Sequence, residues 1–154
     1  MDALKFVVLD EEDLEVASTH LQDAVVKVAD VHWRPKERRL VLGLNRFDWE
    51  SANGNGNEFR RHRTALRFER VLSCKCQHVN PAQKDGVLNL LAIEFAETDA
   101  PAGTVTLAFS GGATLRLEVE CLEAELADMG PSWQTAACPC HENVDKRVVK
   151  AGRT

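Results

Sequence analysis

Apolar residues fall into two periods along this chain, and each predicts a different kind of element. Residues 4–9 are a short run rich in β-branched and aromatic side chains, which predicts a buried strand. Asp10 follows as a helix cap, with Glu11, Glu12 and Asp13 at the positive end of the helix. Leu14, Ala17, Leu21 and Ala24 recur at spacings of three and four, one helical stripe ending near residue 23. From Val25 the period drops to two. Residues 25–34 and 38–46 flank RPKER and predict a hairpin, and residues 51–58 (SANGNGNE) predict a loop. Across residues 64–78, Leu66, Phe68, Leu72, Cys74 and Cys76 share one parity, which predicts a single strand. Arg70 has the same parity, so it is expected to point inward and pair with Glu94, Asp48 or Glu50.

Residues 80–86 predict a loop and residues 87–96, apolar on both faces, a central strand. Residues 104–109 and 113–119 flank the tight-turn signal Ser110-Gly111-Gly112. Residues 120–129 read two ways. Their composition is helical, yet a comparison of the two halves favours strand: Leu66, Arg67 and Glu69 align with Leu115, Arg116 and Glu118, and Val71-Leu72 with Cys121-Leu122 after one gap. On that alignment residues 113–126 are one strand, bulged at Cys121-Leu122, and a three-stranded unit is duplicated. Gly130-Pro131 is expected to end regular structure, Trp133 to fold back on the core, and residues 142–154 to form a tail beyond a single domain of residues 1–141. The predicted fold is α+β: an antiparallel sheet of six or seven strands, barrel- or sandwich-like, with an N-terminal helix.

Composition narrows the partners. The 154 residues carry 19 Lys+Arg against 24 Asp+Glu, for a net charge of −5, and contain no Tyr. That balance argues against a dedicated nucleic-acid binder. No stretch approaches the ~20 apolar residues that span a bilayer, so no membrane role is expected. Five cysteines, an odd number, without an export signal point to reduced thiols in the cytoplasm.

The charge is unevenly placed. Residues 34–75 hold 11 Lys+Arg against 5 Asp+Glu, while the rest holds 8 against 19. Arg60, Arg61, Arg63 and Arg67 cluster there, and Arg61, Arg63 and Arg67 share one strand face. Such a face suits an acidic partner or a small anionic ligand, or else is a charged edge that discourages sheet pairing. Asn45, Arg46 and Trp49 place polar and aromatic groups at a strand end beside it. No nucleophile elbow, phosphate loop or metalloprotease motif is present, and the leading reading is a non-catalytic binding module. The alternative is a small enzyme or ligand sensor built on residues 45–49 with His20 or Arg70.

Cys74, Cys76 and His78 with Cys138, Cys140 and His141 have the chemistry of zinc ligands. The C-x-C spacing holds two sulfurs of a strand too far apart for one ion, so neither a metal nor another cofactor is expected. Cys74, Cys76 and Cys121 read as core thiols, and Cys138 and Cys140 as reactive surface thiols.

Four separated segments carry a resemblance: STHLQDAVVKVAD (18–30), LNRFDWE (44–50), RRHRTALRFERVLS (60–73) and TLRLEVECLEAELADMGPSW (114–133). The chain resembles, over nearly its whole length, a bacterial domain family of unknown function some 140–150 residues long. The resemblance implies no reaction, ligand or catalytic residue, and Cys74, Cys76, Cys138 and Cys140 depart from the family's pattern.

Overall fold

The computed structural model describes residues 3–49 and 59–135. Its elements are β1 (Lys5–Val8), α1 (Glu11–His20), β2 (Val25–Arg34), β3 (Arg39–Phe47), β4 (Phe59–Phe68), β5 (Val71–Gln77), β6 (Val87–Glu97), β7 (Gly103–Phe109), β8 (Thr114–Val119) and β9 (Ala124–Thr135). The helix starts where its sequence signals place it, with Asp13 N donating to Asp10 Oδ1 at 2.8 Å. Leu14, Ala17, Leu21 and Ala24 are all buried, so the stripe is the face that packs.

The strands form one antiparallel sheet in the order β1-β9-β4-β3-β2-β6-β7-β8-β5. The fold is therefore α+β and mostly antiparallel, with nine strands among the described residues instead of six or seven. The sheet is open, ending at β1 and β5, and is not a closed barrel. It curls, because β2 shifts register between Val26 and Val31 and pairs with β6 only over residues 25–27. Beyond that point α1 covers the edge of β6, and Ile93 N donates to Ser18 Oγ at 3.1 Å. Leu42, Leu44, Leu66 and Phe68 from one half thus share a core with Leu107, Leu117 and Val119 from the other.

Leaving β1 aside, the strand order is unchanged when each strand of β2–β5 is exchanged for the one four places later. Two four-stranded units are related by a pseudo-twofold, and each lends its last strand to the other. A repeat is there, with four strands per unit and not three, and in another register than expected: Phe68 pairs with Ala124 as Val119 does with Val71, so Leu66 corresponds to Leu117 and Glu69 to Glu120. The extra strand arises because residues 64–78 break at a corner, Glu69-Arg70, and residues 113–126 break at residues 120–123. The corners clasp each other: Glu69 N donates to Glu123 O and Glu120 N to Arg70 O, both at 2.9 Å.

Several expectations are corrected at these corners. Arg70 does not point inward. It has φ 61°, in the left-handed region, and its exposed guanidinium pairs with Glu123 at 3.3 Å and Glu120 at 3.9 Å. Leu72 is 51% exposed, because the β5–β8 register shifts between Val71 and Ser73 and turns it out. Residues 120–129 are strand and not helix beyond the corner, and Gly130-Pro131 does not end β9. A bulge there, with Gly130 at φ 73° and a register shift opposite Arg61 and Arg63, absorbs a proline that cannot donate to the ladder. Trp133 stays in β9 at 40% exposure and does not fold back.

Burial makes a sharp contrast testable. Phe68→Ala, at a fully buried site, should cost about 3–5 kcal/mol. Leu72→Ala, turned outward by the bulge, should stay within about 0.5 kcal/mol. Urea denaturation of the two variants measures both.

Candidate functional site

Alternation along β4 sends Arg61, Arg63 and Arg67 to the outer face of the sheet, while His62, Thr64, Leu66 and Phe68 turn to the buried one. Each arginine has its own setting. Arg67 lies between Glu69 at 2.7 Å and Glu125 at 2.8 Å. Arg63 crosses over Gly43 to reach Asp30 at 3.0 Å and also donates to Asn45 Oδ1 at 3.2 Å. A Cβ at Gly43 would lie 2.6 Å from Arg63 Nη2, so the glycine keeps this path clear. Arg61 donates to the Asn45 carbonyl at 3.1 Å and stands 5.7 Å over the Phe47 ring. Burial lowers the pKa of Arg61, and the charge of Asp23 partly restores it. Trp49 packs edge-on against Phe47, with centroids 4.7 Å apart, and its indole donates to Gln22 O at 3.2 Å.

Arg46 belongs to the other face. With Leu40, Leu42 and Leu44 it has the buried parity of β3, and its side chain is 3% exposed. It forms a two-pronged pair with Asp128: Nε to Oδ1 at 2.8 Å and Nη2 to Oδ2 at 2.7 Å. Thr64 Oγ1 donates to Asp128 Oδ1 at 2.7 Å and Leu4 N to Oδ2 at 2.8 Å. His62 places Nε2 2.9 Å from Asp48 Oδ2 and Nδ1 3.6 Å from Asp128 Oδ2. Burial pushes the Asp128 carboxyl up, but hydrogen bonds from Arg46, Leu4 and Thr64 with the Arg46 charge outweigh it and hold the pKa at about 2. A histidine between two carboxylates looks like an acid–base relay. However, the one hydroxyl in it among the described residues, Thr64, is turned to Asp128 and fully buried, and every described side chain in the cluster is at most 6% exposed. The cluster joins β3, β4 and β9 from behind the sheet.

The structure thus gathers Arg61, Arg63, Asn45 and Trp49 at one end of the outer face, sets Arg67 farther along it, and puts Arg46 behind the sheet. His62, Thr64 and Asp128 were not singled out in the sequence, although a signal existed. Arg46 continues the parity of Leu40–Leu44, His62 and Thr64 that of Leu66 and Phe68, and Asp128 that of Ala124 and Leu126. Polar groups ending three apolar alternations are a buried cluster. Register brings them together, with Arg46 opposite His62 and Thr64 opposite Asp128.

Cys74 is half-buried and Cys121 intermediate, while Cys76 is exposed and not a core thiol. Cys138, Cys140 and His141 lie outside the described residues, as do the 51–58 loop and residues 142–154. Among the described residues no three His, Cys, Asp or Glu gather as metal ligands, and no helix is long and apolar enough to cross a membrane.

Fold and site define an α+β domain of one curled antiparallel sheet with an arginine-bearing outer face. A family model described as protein of unknown function (DUF2948) matches residues 4–141, and the chain belongs to that family. No curated protein and no solved structure matches it.

The buried pair sets an acid limit on stability. Because the folded pKa of Asp128 lies below the ordinary 3.8, its contribution is complete above about pH 4 and is lost as pH falls through about 2. The amount is about 2 kcal/mol. Asp128→Asn should cost about 3 kcal/mol near neutral pH by leaving Arg46 buried and unpaired. Urea melts should show the gap between the variant and wild type narrowing as pH approaches 2.

Proposed function

We propose that this domain is a non-catalytic binding module whose contact surface is the outer face of β4, recognising an acidic protein segment or a small anionic ligand. The observation that carries this reading is the row of arginines that alternation puts on one face of β4. Arg61, Arg63 and Arg67 lie on the outer face, whereas the acid–base cluster of Arg46, His62, Asp48 and Asp128 is enclosed. Arg61 suits the role best, since it is already partly dehydrated and is held by the Phe47 ring and a carbonyl. Less reorganisation is then needed when an anion arrives. Arg63 and Arg67 are held in place by Asp30, Glu69 and Glu125. An incoming carboxylate must compete with these, which makes binding selective and sensitive to salt. Asn45 and Trp49 border the same surface and shape its polar and aromatic rim. A bacterial cytoplasm fits the reading, since unpaired thiols stay reduced there.

The test is titration with a hexaglutamate peptide at low ionic strength. At about 0.5 kcal/mol for each exposed pair, R61A/R63A/R67A should bind roughly tenfold more weakly than wild type. Gly43→Ala should act in the opposite direction, because its methyl displaces the end of the Arg63 side chain from Asp30 and frees that guanidinium. Equal affinity of the triple variant and wild type would refute the module.

A further inference from the structure

The core is unevenly finished. Among the described residues eight hydrophobic side chains are only partly buried at its margin, and five of them, Val31, Trp33, Cys74, Val79 and Leu88, line one cavity. That cavity has a volume of about 240 Å³. It lies where the sheet fails to close, between β2 and the free end strand β5, which are not neighbours in the strand order. Its walls are strands with fixed register, and the segment that supplies its rim is anchored to β2. Val28 N donates to Gly86 O at 2.9 Å and Ala29 N to Lys84 O at 3.0 Å. The Cys74 thiol, pushed up to about 11 by burial and by Cys76, presents a neutral wall.

Lys84 is the one charged side chain among the described residues lining this cavity, and no carboxylate among the described residues pairs with it. An apolar chamber with a single cation at its mouth selects a molecule of the opposite design, with an apolar body and one negative end. At roughly 30 Å³ per water-sized group, the volume takes about eight such groups.

We propose that this cavity is a binding site for a small monocarboxylate with an apolar body of about eight carbons, its chain against Trp33 and Leu88 and its carboxylate on Lys84. The site is separate from the β4 outer face, so R61A/R63A/R67A leaves it unchanged.

Calorimetric titration with octanoate, 1-octanol and octylamine tests it. Octanoate should bind with one-to-one stoichiometry, at least tenfold more tightly than 1-octanol, and octylamine more weakly still. Lys84→Met should remove the advantage of octanoate over 1-octanol without altering 1-octanol. Leu88→Trp should fill the chamber and abolish binding of both. As a check that does not depend on that variant folding, octanoate should slow N-ethylmaleimide modification of Cys74 at least fivefold in a Cys76→Ser background. The proposal is overturned if octanoate does not saturate, if Lys84→Met keeps the full preference for octanoate, or if Cys74 is unprotected.

Discussion

A carboxylate without access to water stays ionised only if its neighbours replace the solvent it has lost. Asp128 meets that condition from three directions: the Leu4 amide before β1, the Arg46 guanidinium from β3 and the Thr64 hydroxyl from β4. This arrangement does something that the apolar core cannot. Leu40, Leu42 and Leu44 are interchangeable in size and polarity, so a slip of β3 by two residues would keep every leucine buried. A slip of one residue is forbidden by alternation, and a slip of two by the charge of Arg46, which would lose its buried counter-ion Asp128. The pair fixes register where hydrophobicity is indifferent.

The second constraint is the clasp between the two corners. Each sends a strand from one half of the sheet to the other, and the bonds between residues 69–70 and 120–123 tie them back to back. Arg70 takes a left-handed conformation to make this turn, at a cost of about 1 kcal/mol. The ion pairs at the corner lie in water and contribute little to stability. They do keep the charge balanced at the corner, with Arg38 and Arg70 against Glu120 and Glu123.

Much of this fold was legible in the chain. Period-three and period-four spacing located α1, and parity separated inside from outside along β3, β4 and β8. The match of residues 66–72 to residues 115–122 pointed to an internal repeat. What stayed hidden was discontinuity. Parity survives a two-residue corner at Glu69-Arg70 almost intact, so β4 and β5 read as one strand and Leu72 as buried. The Gly130-Pro131 bulge looks like a terminator because a proline is excluded only from a paired position, and pairing is a property of the partner strand. The outer face was visible as an alternation of arginines. Its counter-ions Asp30, Glu69 and Glu125 were not, because they come from three different strands or turns. Arg46 reads as a strand-end binding residue because its burial depends on Asp128, 82 residues away.

The exchange of last strands also has a temporal side. β1 is the first of the described strands along the chain, yet its partner in the sheet is β9, the last of them, with Lys5 opposite Ala127. β4 likewise meets β9, and β5 waits for β8. Neither unit can complete its sheet while the other is still being made, so no stable half-domain precedes the synthesis of β9. The nascent chain carries the unpaired edge of β5 until β8 is made, and those of β1 and β4 until β9 is made. Folding is then a late, long-range event, of the kind that proceeds slowly and exposes strands to aggregation and to chaperones.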